Sequence, residues 1–228
     1  VDIEAEGRAA DVRGSISLTS DGDSYAFGQE LFLAGDRAFV IANVETYGIA
    51  TPFEVDAELV DADGAFDAES EFVDDPIPTE PFPGPGSVWT QRTVIVEVDI
   101  SNPDDLRIAN TLSVDGRYVS ARSSDGGARI VVSTPPSDLG FLFPSGPNSE
   151  QTALEFNQDL IRNTTLEDWV PSFQLRGSDG SVTDGELVDC SGIHAPGEIA
   201  GFDMLSVLTI TTDEPLGAPT DTASVMAS

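Results

Sequence analysis

The feature that most constrains the fold is a run of strand-like segments between Thr93 and Ser133 that is partly repeated earlier in the chain. Residues 93–100 (TVIVEVDI) place Val94, Val96 and Val98 on one face and Ile95, Glu97 and Asp99 on the other, the period-two pattern of a β-strand. Asn102-Pro103-Asp104-Asp105 is a turn. Residues 106–114, 118–122 and 128–133 follow as three more strands, the last two joined across Ser123-Ser124-Asp125-Gly126-Gly127. That spacing is the spacing of an antiparallel meander.

Residues 11–22 (DVRGSISLTSDG) align without a gap on 105–116 (DLRIANTLSVDG), matching Asp11 with Asp105, Arg13 with Arg107, Leu18 with Leu112 and Asp21-Gly22 with Asp115-Gly116. Val1-Asp2-Ile3 pairs with Val98-Asp99-Ile100, and each copy runs on into a hairpin, 30–43 in one and 118–133 in the other. Leu208-Thr209-Ile210, followed by Asp213-Glu214-Pro215-Leu216, begins a third copy. In the first hairpin, 30–34 (ELFLA) and 37–43 (RAFVIAN) meet at Gly35-Asp36, a pair suited to a tight turn, and Leu31, Leu33, Phe39 and Ile41 are expected on its buried face. Residues 1–3, 14–19 and 53–60 are further strand candidates, as are 202–212 and 222–227.

Four antiparallel strands per copy, with an insertion between the second and third, define the blade of a β-propeller. The chain is therefore expected to be all-β and propeller-like, with about two and a half blades visible; a β-sandwich is the alternative. A single domain, or a fragment of one, spans 1–228 with insertions at 44–87 and 135–201. The second insertion holds the one helix candidate, 152–162, with Thr152 and Glu155 at capping-box spacing and Leu154, Phe156, Leu160 and Ile161 as an apolar stripe. A short turn of helix is expected from Thr165, stopped by Pro171.

Charge sets the conditions under which such a chain folds. Its 41 Asp and Glu face only 10 positive residues, a formal net charge of −31, and all ten positives are Arg. In molar salt the screening length falls to roughly 3 Å, so scattered carboxylates cease to repel one another and hold hydrated cations instead. The reading is a halophilic, acidic surface. No basic patch is visible to hold phosphates, which argues against nucleic acid as a partner, and no apolar stretch is long enough to span a membrane. The lone cysteine, Cys190, excludes a disulfide within the chain.

Taken together, ELFLAGDRAFVIAN, TVIVEVDISNPDDLRIANTLSVDGRYVSAR, ARIVVSTPP, NTTLEDWVPSFQLRGSDGS, GELVDCSGIHAPGE and MLSVLTITTDEPLGAPTDTASVMAS resemble the haloarchaeal secreted or surface-exposed proteins that carry a large C-terminal β-propeller domain. The resemblance covers nearly the whole chain apart from 44–87. It implies a longer polypeptide with an export signal, of which this chain is an internal portion, and further blades beyond it. Members of that family have no assigned molecular function, so the resemblance carries over no catalytic motif.

Candidate chemistry is sparse. Asp61, Asp63, Asp67 and Glu69 alternate around Gly64 and could converge on Ca²⁺, the sole cofactor the sequence suggests, although an ordinary solvated hairpin explains them as well. Cys190 and the single histidine, His194, share a loop-like segment, but its acidic setting does not favour a thiolate. Trp89 and Trp169 could stack on sugars or pack the insertions onto the strands. Asn163-Thr164-Thr165 is an N-glycosylation acceptor sequence, marking Asn163 as a candidate site.

The expectation is a non-enzymatic, extracellular or cell-surface scaffold whose insertions bind a protein or glycan. The alternatives are a self-associating subunit of a filament or surface assembly and an extracellular hydrolase using carboxylates or a bound metal. The charge yields a direct prediction: transfer from molar salt to dilute, divalent-free buffer unfolds the chain. Circular dichroism should show the β-sheet signal collapse, and its survival would refute a halophilic surface.

Overall fold

The computed structural model describes residues 12–18, 24–49, 87–124, 126–136, 141–144, 146, 149–198 and 201–227. By contact the chain divides into Val1–Thr46 with Thr90–Ser228, and a second unit, Tyr47–Trp89, of which the described residues are the ends of two strands. The larger unit holds two sheets, and chain order assigns each insertion as the repeat pattern implies.

The first sheet contains β1 (Ser24–Ala34), β2 (Arg37–Ile49), β3 (Ser87–Asp99) and β4 (Arg107–Asp115) in sequence order, with β1/β2 and β3/β4 antiparallel. The second begins with β5 (Arg117–Ser124) and β6 (Gly127–Thr134). It is completed by β10 (Met204–Thr211) and β11 (Thr222–Met226), which flank β6 in the order β5-β6-β10-β11. Two four-stranded blades result, each with its insertion after the second strand. The segment between them, where 93–114 closes one blade and 118–133 opens the next, reduces to a single residue, Gly116.

That residue has to be glycine. Its φ is 106°, in the left-handed half of backbone space, and a Cβ there would stand 2.3 Å from Thr134 Oγ1. The chain reverses from sheet to sheet here, and local bonds hold the reversal: Gly116 N–H donates to Gln91 O (2.9 Å), Thr93 Oγ1 to Gly116 O (2.9 Å) and Thr134 Oγ1 to Asp115 O (2.9 Å).

The second insertion does more than hang from its blade. Its hairpin of β7 (Ser172–Gly177) and β8 (Val182–Glu186), which the sequence reading missed, extends the first sheet by pairing β7 with β4. Its two-residue β9 (Ile193–His194) pairs in parallel with β11 of the second sheet. One insertion therefore adds strands to both blades. Asp115 secures the junction by accepting from Ser172 N–H (2.8 Å) and from Arg92 (2.7 Å).

The two sheets face each other across one core. Phe39, Ile41, Ile95, Leu112 and Val114 from the first meet Ala121, Ala128, Ile130, Val132, Leu208 and Ile210 from the second. Fully burying an aliphatic or aromatic side chain of this kind contributes roughly 1.5–3 kcal/mol, so this interface dominates the stability of the unit. A smaller cluster lies on the opposite face of the first sheet, where Ile16 and Leu18 cover Ala38, Val96 and Val98. Residues 12–17 reach it without strand structure, whereas the alternation over 14–19 suggested a strand. The alternating apolar positions serve packing alone.

Two expectations are corrected. In the β1/β2 hairpin Phe39 and Ile41 are fully buried, but Leu31 and Leu33 are 58% and 68% exposed. A two-residue turn at Gly35-Asp36 pairs Ala34 with Arg37, so even-numbered residues of β1 share a face with odd-numbered residues of β2. Phe32, opposite Phe39, is thus the residue that packs on the core. The helix, α1 (Ser149–Asn163), starts three residues before the proposed Thr152 cap, and only Ala153 is buried. Leu154, Phe156 and Ile161 remain exposed.

Tyr118 couples the sheets from β5, donating its Oη to Glu30 Oε1 (3.1 Å) on β1 while its N–H donates to Asn43 Oδ1 (2.8 Å) on β2. Burial, then the hydrogen bond to Glu30 and that carboxylate's charge, raise the phenol above its ordinary value of 10.0. A group with a raised folded pKa contributes stability below its unfolded pKa and loses it as pH rises through the folded value. Stability should therefore fall above about pH 10. Phenolate absorbance should show one of the three tyrosines ionising late, and Tyr118→Phe should remove that late component.

Candidate functional site

Glu97 is the first acid to weigh as a catalytic group, because it is 1% exposed and sits at a β-bulge, where Glu97 pairs with Asn110 and Val98 with Ile108. Its Oε2 accepts from Asn110 Nδ2 (2.7 Å) and from Leu216 N–H (2.9 Å), and its Oε1 faces Arg37 Nη1 at 3.5 Å. Arg37 Nη2 in turn donates to Asp213 O (2.6 Å). The carboxylate thus holds the β10–β11 connection of the second blade against the middle of the first. It is sealed from solvent and engaged on both oxygens, which suits a framework clamp and leaves no room for a substrate.

Solvent reaches polar side chains along that same β10–β11 connection. A groove of about 310 Å³ lies between it and the second insertion, lined by Glu186, Asp189, Ser191, Thr220 and Thr222. Thr222 Oγ1 is buried there without a hydrogen-bond partner. A second groove of about 340 Å³ on the other side is lined by Thr209, Thr211, Glu214, Pro215 and Asp221, among others. Carboxylates and hydroxyls can exchange hydrogen bonds with a hydroxylated ligand. Among the described residues no three His, Cys, Asp or Glu side chains converge as a metal site.

The remaining sequence candidates do not assemble into one site. Cys190 is exposed in a 3-10 turn (Cys190–Gly192), and His194 is exposed in β9; no hydrogen bond joins them. Asn163 is the exposed last residue of α1 and donates Nδ2 to Asp159 O (2.9 Å). Thr164 Oγ1 donates to Ile161 O (2.7 Å) and accepts from Trp169 Nε1 (2.9 Å), so Trp169 packs the helix end onto the following turn. That turn is the expected one, Leu166–Asp168, with Thr165 N–H donating to Asp168 Oδ2 (2.6 Å). Trp89 lies in β3. Asp61, Asp63, Asp67 and Glu69 fall outside the described residues.

What sequence reasoning missed is an open apolar surface in the second insertion. Phe143 is 79% exposed, and Leu142, Leu154, Phe156, Ile161 and Leu166 are exposed with it. Asn157 fastens the preceding segment to α1, accepting from Leu142 N–H (2.7 Å) on Oδ1 and donating Nδ2 to Leu142 O (2.8 Å). The apolar stripe of the helix was legible; its lack of a covering layer was not.

Two facing antiparallel meanders, joined by one glycine and each interrupted after its second strand, define a β-propeller-type protein. The profile of the Beta propeller domain family matches residues 3–228, and the chain belongs to that family. No curated protein and no solved structure matches it.

The clamp role of Glu97 is testable. Glu97→Ala leaves Asn110, Arg37 and Leu216 N–H without their shared acceptor and should cost about 3 kcal/mol of stability. Thermal melts in molar salt should show a clear drop in Tm, and an unchanged Tm would refute the clamp.

Proposed function

We propose that this chain is a non-enzymatic propeller-type scaffold, displayed outside a salt-adapted cell, whose second insertion recognises a protein or glycan partner. The observation that carries the reading is the contrast within that insertion. It is fixed to the framework through β7 on β4 and β9 on β11, yet it presents Phe143 and the apolar side chains of α1 to solvent. Rigidly held loops on a β framework are where binding groups are usually found, and large apolar side chains held exposed on such a support suit association with a partner. The net charge of −31 supports a high-salt environment, and the polar groove lined by Glu186, Asp189 and Ser191 of the same insertion offers hydrogen-bonding groups to a glycan. The engaged, sealed state of Glu97 supports a non-catalytic role.

The test uses the chain immobilised in molar salt and presented with purified cell-surface glycoprotein and glycan fractions. The wild-type chain should retain a component that the double variant Phe143→Ser, Phe156→Ser binds at least about ten-fold more weakly. Equal retention by both would refute recognition through this surface. Turnover of a polysaccharide or peptide substrate, abolished by replacing Glu186 or Asp189, would instead establish a hydrolase.

A further inference from the structure

The groove between the second insertion and the β10–β11 connection has two walls, each fixed to the framework. Residues 186–192 form one. Leu187 and Val188 are buried there, and Leu187 N–H donates to Pro171 O (2.7 Å), so the carboxylates of Glu186 and Asp189 flank an anchored stretch. The 3-10 turn Cys190–Gly192 lies close to β11 because residue 192 has no side chain: a Cβ there would stand 3.2 Å from Thr222 O and 2.9 Å from Val188 Cγ2. Residues 219–222 form the other wall, which is tied to β10 where Thr209 N–H donates to Asp221 O (3.2 Å).

The polar groups along these walls favour one kind of ligand. No Arg lines the groove, so it offers an anion no positive charge. Glu186 and Asp189 only accept hydrogen bonds, whereas the hydroxyls of Ser191 and Thr220 both donate and accept. Asp189 precedes the 3-10 turn but makes no capping bond to it, which leaves its oxygens for a ligand. A fitting ligand therefore brings several donors. Thr222 lies on the same face of β11 as the buried Ser224. Ser224 Oγ shares a hydrogen bond with Ser206 Oγ (2.7 Å), but Thr222 Oγ1 is buried with no partner among the described residues. An unpaired buried hydroxyl is costly, and rotation about χ1 brings this one to the groove without breaking any bond.

We infer that this groove binds one neutral sugar residue, with Glu186 and Asp189 accepting from its ring hydroxyls and Thr222 Oγ1 gaining the partner it lacks. The inference rests on the reading of the second insertion as a recognition surface and assigns the glycan-binding part of it. A volume of about 310 Å³ is at the low end for ligand pockets and suits a single ring. A hexose carries hydroxyls on neighbouring carbons, each able to donate, and no charge. Hydrogen bonds to an uncharged ligand also survive molar salt, which screens ion pairing at exposed positions. A hard cation fits less well, because it calls for six to eight oxygens and, among the described residues, no three acidic, His or Cys side chains converge.

Titration of the intact chain in molar salt with the methyl glycosides of glucose, galactose, mannose and N-acetylglucosamine, read by saturation-transfer NMR and calorimetry, tests this. At least one glycoside should bind saturably, and a hexuronate glycoside should bind about ten-fold more weakly than the best of them. Thr222→Val keeps the shape of the side chain and removes its hydroxyl, so binding should weaken about ten-fold while Tm holds or rises. A purely structural hydroxyl would instead lower Tm and leave binding intact. Asp189→Asn, at an exposed position, should weaken binding to a similar degree. Absence of binding by all the neutral glycosides overturns the inference, as does a hexuronate that binds equally well or undiminished binding by either folded variant. Ca²⁺ that binds in their place and is lost in Asp189→Asn overturns it too. Retention of a glycoprotein through Phe143 and Phe156 without glycoside binding removes this inference alone, whereas glycoside binding without such retention removes only the apolar recognition surface.

Discussion

The arrangement of the two blades depends on one buried carboxylate. Glu97 lies in the middle of the first sheet on the same face as the core residue Ile95, and its partners come from three separate parts of the chain: Arg37 on β2, Asn110 on β4 and the Leu216 N–H of the β10–β11 connection. Hydrophobic contact between the sheets supplies most of the stability but is tolerant of sliding, because apolar surfaces are not directional. A buried charge is not tolerant, since any shift that breaks its bonds leaves it desolvated and unpaired. The clamp therefore fixes where one blade sits on the other.

Around that clamp the chain is economical in its reversals. Gly116 alone carries it from the first sheet to the second, and Thr93, Gln91 and Thr134 bond across the reversal so that its polar backbone groups are satisfied. The second insertion then returns to the first sheet as β7 and β8 and to the second as β9. Adding strands to both blades makes the insertion part of the framework, which explains how it can hold α1 and Phe143 against solvent with little burial of their own. Recognition surfaces and structural support come from the same stretch of chain.

Much of the blade architecture was legible in the residues. Alternation marked β3, turn residues marked the reversals, and the matched order of two copies indicated four strands with an insertion after the second. The failures have physical causes. Leu31 and Leu33 were assigned to the core by parity along one strand, yet the two-residue turn sets parity across strands and gives that role to Phe32. Residues 172–177 (SFQLRG) carry an apolar alternation of only two residues, Phe173 and Leu175, too brief to stand out inside a loop. Alternation placed Glu97 on one face with Ile95 and Asp99 but could not mark it as buried, because its burial depends on a sheet contributed by residues far along the chain. In the candidate site, the residue types were visible but their convergence was not: Cys190, His194 and Asn163 remain separate surface features.

The sequence by itself determined the local content of this protein: strands, turns, one helix, an acidic charge and a blade-like repeat, because each depends on neighbours within a few residues. Only the tertiary structure decided which face of each strand is covered, which acid is buried, and that the second insertion joins both sheets. Those outcomes depend on contacts between residues as far as 176 positions apart, as between Arg37 and Asp213, and no local pattern encodes the layer that a given face will meet.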